Sequence, residues 1–209
     1  MVFGCLVRAA YSDAKHNYLI HYLLAVAVVL SIPMMFGVND LDAKAAAQPL
    51  EFMMPFTGII LMTPVFMPEQ DENIRDTVRA KKMSYELVCL MRLLMAAAVM
   101  LALTGTFVLF MKYCGSDVSF RHFCGAAVSA AAVGSIGFFT AAVSDNTIAG
   151  YMAAVIYYVM NFLLKSRLGM FYVFSMSSGS FSEKKWLLLI AVLLSAAGLI
   201  GRRYRTNMM

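Results

Sequence analysis

Charge is scarce in this 209-residue sequence. Asp, Glu, Lys and Arg make up 14% of it, against about 25% in soluble domains, which excludes an ordinary water-soluble globular fold. Cysteine is sparse too: four residues cannot build the disulfide framework of a small secreted scaffold. No Gly-Lys dipeptide occurs, so the G-x-x-x-x-G-K-[ST] loop that cradles nucleotide phosphates is excluded. No polar stretch approaches the roughly 100–150 residues of a separate nucleotide-binding domain. His16, His21 and His122 contain no i, i+4 pair and no H-E-x-x-H run, and the serine cluster of residues 175–182 lacks a G-x-S-x-G turn. The expectation is therefore a chain that is not an enzyme and carries no catalytic residue, metal ligand set or cofactor of its own. Its formal charge of +5 is not interleaved with aromatics as in nucleic-acid binders. In a chain this apolar, the excess fits the cytoplasmic face and anionic headgroups of a bilayer.

What the sequence has in abundance is apolar length. Apolar residues make up 61%, and a helix spanning hydrocarbon needs about 20 of them in a row. The runs predict an all-α polytopic membrane protein, a single transmembrane domain over residues 1–209, with spans near 18–36, 52–67, 87–111, 123–143, 148–164 and 186–200. The first run is too long for the apolar core of a cleaved secretory signal. Ahead of it Phe3, Leu6, Val7, Ala10 and Tyr11 recur at helical spacing, the pattern of an interfacial helix lying in the membrane plane. Span two carries Pro55 and Pro64, each lacking a backbone donor, so a bent or broken helix is expected there. Arg75, Arg79, Lys81 and Lys82 crowd into one loop and Arg202, Arg203 and Arg205 into the C-terminal segment. By the positive-inside rule both termini face the cytoplasm. Between Lys165 and Trp186 the only apolar run is residues 170–174, too short to cross, and it reads as an outer re-entrant segment or as an interfacial loop.

Inside these runs there is no Asp or Glu; Glu51 and Asp145 fall at span ends, and Arg92 is near enough to the inner surface to snorkel. Gradient-driven transport needs titratable groups within the spans, so that class is disfavoured. Cys114 and Cys124 flank one outer loop and are either a bridge or two apolar thiols. In span four Ala126, Ala130 and Gly134, and likewise Ala127, Ala131 and Ser135, fall at four-residue steps that allow close helix approach, read as packing within one subunit.

The longest charged stretch, residues 68–82, begins with Pro68 and is acidic first (Glu69, Asp71, Glu72) and basic last (Arg79, Lys81, Lys82). That order suits a helix dipole, and Asp71 with Arg75 adds an i, i+4 pair. Only Ile74 and Val78 form an apolar stripe, so this helix wants a polar protein partner rather than lipid. The stretch closes on RAKKMSYELVCLMRLL, with Met83-Ser84 before an apolar helix and Arg92 about two turns into it. This layout resembles the permeases of the type-2 ABC exporter family, in which a P-[IV]-S step follows a cytoplasmic coupling helix. Lys82 stands here where that family has proline.

The resemblance implies the membrane-spanning permease subunit of an ATP-driven exporter, with six spans, the interfacial helix, a coupling helix after span two and the re-entrant segment before span six. It implies that Glu72, Arg75, Asp76, Arg79 and Lys82 lie on or beside the helix that docks on a separate cytoplasmic ATPase, which holds ATP and Mg. A second permease copy or paralogue would face the first in the cell membrane, with Pro55 and Pro64 in span two and Tyr157, Tyr158 and Asn161 in span five along the substrate path. An apolar or amphipathic cargo fits a passage almost free of charge. The alternative is a non-pumping membrane binding, immunity or structural protein.

Overall fold

Where no water can pair with the backbone, a chain crosses hydrocarbon by satisfying its amides within helices. The computed structural model describes residues 18–70 and 85–208 and places them in six long helices: α1 (Leu19–Phe36), α2 (Ala43–Met62), α3 (Tyr85–Tyr113), α4 (Phe120–Ser144), α5 (Thr147–Leu164) and α6 (Glu183–Met208). Two 3-10 helices, Thr63–Gln70 and Lys165–Phe171, follow α2 and α5. No strand occurs among the described residues. All six helices are long and apolar enough to cross a membrane, the mark of a multi-pass membrane protein whose described residues are of the all-helical class. The stretch expected to form the interfacial helix, and the charged segment with Glu72, Arg75, Asp76, Arg79 and Lys82, lie outside the described residues.

The helices alternate in direction, and side-chain ties mark the two ends of the bundle. At one end the Tyr18 hydroxyl donates to the Val65 carbonyl at 2.8 Å, Arg202 pairs with Asp145, and the same guanidinium lies 5.4 Å from the centre of the Phe66 ring. The start of α3 packs here too, with Cys89 and Leu93 against Val65 and Phe66. At the opposite end Ser116 Oγ donates to the Val38 carbonyl at 2.7 Å, Asp117 N–H to the Leu41 carbonyl at 2.8 Å, and His122 Nε2 lies 3.0 Å from the Ala43 carbonyl. Cys114 and Cys124 are both free thiols, which settles the alternative the sequence left open.

Helices α2 and α4 are buried over most of their length, whereas the other four are largely exposed. The outward faces carry Ile20, Leu23 and Met34 on α1, Phe162 and Leu163 on α5, and Leu189 and Leu193 on α6. A bundle with this much exposed apolar surface is matched to lipid, not to water. The small residues of α4 explain its central place. A Cβ on Gly134 would stand 2.6 Å from the Gly58 carbonyl oxygen of α2, so the two helices meet backbone to backbone within one chain.

Two helix ends differ from the sequence reading. Asp42 caps α2 by accepting from Ala45 N–H at 3.2 Å, so the helix starts at Ala43 in a run of small residues that hydropathy alone does not mark. The expected break in this span falls after Met62, where the α-helix tightens into the 3-10 turn holding Pro64; Pro55 and the additional Pro49 are accommodated within the α-helix. Arg92, expected to snorkel, is instead enclosed by protein at 6% exposure.

Candidate functional site

The early start of α2 corrects the placement of Glu51. It lies inside the candidate span Ala43–Pro68 rather than at its end, and it is fully buried. At 1.5 Å of rise per residue it is about 12 Å along the helix from Ala43. The premise that the spans hold no carboxylate therefore fails at this position. Pro55 adds a local consequence, because proline at i cannot donate to the carbonyl at i−4, here that of Glu51 itself.

Facing Glu51 is Lys184, in the first turn of α6 and 6% exposed. Its Nζ lies 2.7 Å from Glu51 Oε1 and donates to Ser129 Oγ of α4 at 2.7 Å and to the Val173 carbonyl. All three ammonium donors are thus used. The carboxylate also accepts two backbone amides, Met176 N–H on Oε1 at 2.7 Å and Ser177 N–H on Oε2 at 2.8 Å. Ser129 Oγ in turn donates to the Gly125 carbonyl at 2.9 Å.

What this cluster serves is the irregular chain between the 3-10 turn Lys165–Phe171 and α6. Val173, Phe174, Ser175 and Met176 are buried inside the bundle without helical hydrogen bonds of their own. Asn161 of α5 supplies another partner: its Oδ1 accepts Val173 N–H at 2.8 Å while its Nδ2 donates to the Tyr157 carbonyl at 3.0 Å. Tyr157 OH donates to the Phe171 carbonyl at 2.7 Å, and Tyr158 OH to the Phe52 carbonyl at 2.8 Å. Phe174 is the apolar plug, with ring centroids 4.9 Å from Phe52 and 5.4 Å from Tyr158. Burial, and beside it the Glu51 charge, hold the Tyr172 phenol above its ordinary value of 10. A buried ion pair is costly unless every remaining lone pair and proton finds a partner. Here those partners are the amides and carbonyl that an irregular buried backbone would otherwise leave unmet.

Comparison with family models, curated proteins and solved structures finds no match to this chain. The site therefore stands on its geometry. Among the described residues no group of His, Cys, Asp and Glu is arranged to hold a metal ion.

Of the residues read from sequence as a substrate path, Pro55 and Pro64 are buried along span two and Asn161 is fully enclosed, its amide spent on the chain's own backbone. Tyr157 and Tyr158 are half-buried with their hydroxyls on main-chain carbonyls. In a single copy, Tyr157, Tyr158 and Asn161 clamp the 170s segment. Sequence reasoning missed Glu51, Lys184 and Ser129 as partners; the available signal was the Asp42 cap, which moves Glu51 into the third turn of a span. Changing Asn161 to leucine orphans Val173 N–H and should cost about 1–3 kcal/mol of stability, read as a lowered midpoint of thermal unfolding in detergent.

Proposed function

We propose that this chain is the membrane-spanning permease subunit of an ATP-driven exporter of the type-2 ABC class, moving an apolar or amphipathic cargo. A separate cytoplasmic ATPase chain, holding ATP and Mg, supplies the force, and a second permease copy or paralogue completes the passage. The observation that carries the reading is the layout. Gln70 and Tyr85, the flanks of the charged segment, lie at one end of a six-helix bundle, and a buried irregular segment precedes the last helix at the other. In this reading the first end is cytoplasmic, Glu72, Arg75, Asp76, Arg79 and Lys82 lie on or beside the coupling helix, and residues 170–174 with the serines after them are the re-entrant piece in the cell membrane.

The saturated clamp also bears on the fuel. A carboxylate held by two backbone amides and an ammonium ion with all its donors engaged is poorly suited to a proton relay, which supports force arriving from outside the chain. The same rigidity suits a non-pumping binding, immunity or structural membrane protein. Copurification separates the two readings. From a mild detergent extract the exporter reading requires a nucleotide-binding chain of about 200–300 residues, one to two domains, to accompany the permease. With that partner in hand, Arg75→Glu combined with Arg79→Glu should abolish most of the permease's stimulation of ATP hydrolysis while helix content stays unchanged. Undiminished stimulation removes the coupling role, and absence of any nucleotide-binding partner removes the exporter.

A further inference from the structure

A cleft of about 330 Å³ opens between α4 and α6 at the end of the bundle that holds the irregular segment. Its size is at the low end for small-molecule sites. The walls are apolar, with Val128 on α4, Leu188 on α6 and Phe181 just ahead of α6, and the lining also holds Arg121 and Lys185. Lys184 borders the cleft as well, but its ammonium group is consumed by the clamp on Glu51. Arg121 and Lys185 are both exposed, and among the described residues neither has an ion-pair partner. The nearest acidic residues along the chain, Asp117 before Arg121 and Glu183 before Lys185, form no ion pair with either cation; Glu183 accepts from Ser180 Oγ at 2.6 Å.

Position sharpens the chemistry. Arg121 and Lys185 sit in the first turns of α4 (Phe120–Ser144) and α6 (Glu183–Met208), so the positive ends of both helix dipoles add to their charge. Beside them Phe120 and Trp186 are 76% and 49% exposed, aromatics of the kind that settle at headgroup depth. A free anion has no use for the apolar walls, a neutral amphiphile leaves the cations unmatched, and a zwitterionic one brings its own cation beside its phosphate. We propose that the cleft seats one anionic phospholipid, its phosphate between Arg121 and Lys185 and the upper part of an acyl chain along Val128 and Leu188. The site does not depend on the chain being an exporter subunit.

Trp186 is the only tryptophan in the sequence and adjoins Lys185, so it reports on occupancy directly. The full chain is reconstituted in phosphatidylcholine vesicles into which brominated phosphatidylglycerol or brominated phosphatidylcholine is titrated, and quenching of Trp186 fluorescence is followed. The anionic lipid should reach half-maximal quenching at a mole fraction lower by about thirtyfold, which is what a pair of cations near a bilayer surface contributes. Arg121→Ala with Lys185→Ala should shrink that preference to about twofold or less, whereas Arg121→Lys with Lys185→Arg keeps it. Val128→Phe, which fills the cleft at unchanged charge, should weaken quenching by the anionic lipid severalfold. Unchanged helical circular dichroism identifies the variants that remain folded. Equal quenching by the two lipids in the native chain overturns the proposal, as does a preference that survives the double alanine change. Insensitivity to Val128→Phe means diffuse attraction of headgroups and also overturns it. Millimolar inorganic phosphate should leave the quenching by anionic lipid in place; reversal by phosphate assigns the cations to a free anion and sinks the lipid site.

Discussion

Replacing Glu51 by leucine should destabilise the protein by about 3–5 kcal/mol, the cost of leaving a buried charge without its partner. Lys184 then keeps Ser129 Oγ and the Val173 carbonyl but loses its counter-charge, and Met176 and Ser177 lose their acceptors. Lys184→Met should cost less, about 2–3 kcal/mol, because Glu51 retains both backbone amides and hydrogen bonds to a charged group are among the stronger ones. The double variant removes both charges yet leaves two amides and a carbonyl unmet, so it should lie close to Glu51→Leu alone and well short of the sum. Unfolding of the purified chain in detergent, followed by helical circular dichroism, gives the three values and the coupling between them. A Glu51→Leu loss under about 1 kcal/mol means the clamp does not hold the segment. Additive single losses mean that Glu51 and Lys184 act on it separately.

That asymmetry shows how the irregular segment is built. The 3-10 turn Lys165–Phe171 and the non-helical residues after it give up the intrahelical hydrogen bonds that make α1, α3 and α5 self-sufficient. Side chains from α2, α5 and α6 make up the difference, Glu51, Asn161 and Lys184, while Ser129 of α4 holds the Lys184 ammonium in place. One piece of backbone thereby joins most of the bundle at that end. Phe174, lodged among Phe52, Tyr158 and Phe162, makes the same junction apolar.

How much of this was readable beforehand follows the physics of each feature. The six helices were legible because transfer of about 20 apolar residues into hydrocarbon is a local, additive property of the chain. The close seam along α4 was legible because small residues at four-residue steps announce it. The start of α2 was not, since Ala43 to Ala47 are only weakly apolar and the boundary is set by one Asp42 side chain reaching Ala45 N–H. Moving that boundary turned Glu51 from a loop-side charge into an interior one. Lys184 read as an ordinary loop lysine because its partner is 133 residues away in sequence, and no periodicity links two such positions. Asn161 was singled out as unusual, but the sequence could not show that its amide faces Val173 rather than an open passage.

The seam between α2 and α4 sets the second large expectation. A Cβ built on Gly58 would overlap the Ala130 carbonyl oxygen and fall 2.6 Å from its carbonyl carbon. Both are main-chain atoms of a neighbouring helix, so no rotamer change relieves the overlap and the helices must part. Gly58→Ala should therefore cost about 3 kcal/mol, despite alanine's better helix propensity of about 1 kcal/mol. Gly125→Ala meets Met176 Sδ, toward the flexible end of a side chain, and should cost less. Gly201 has nothing within 4 Å, and there the alanine should be neutral or stabilising by up to about 1 kcal/mol. The rank order Gly58, Gly125, Gly201 in thermal unfolding midpoints is the test, and a Gly58→Ala protein as stable as the native chain would show that the seam has room to open. If the order holds, α2 and α4 move as one body. The first half of the 3-10 stretch Thr63–Gln70 moves with them, since the Phe66 ring lies 4.7 Å from that of Phe138 on α4, so any bending of the chain falls after Phe66, where Met67 is exposed.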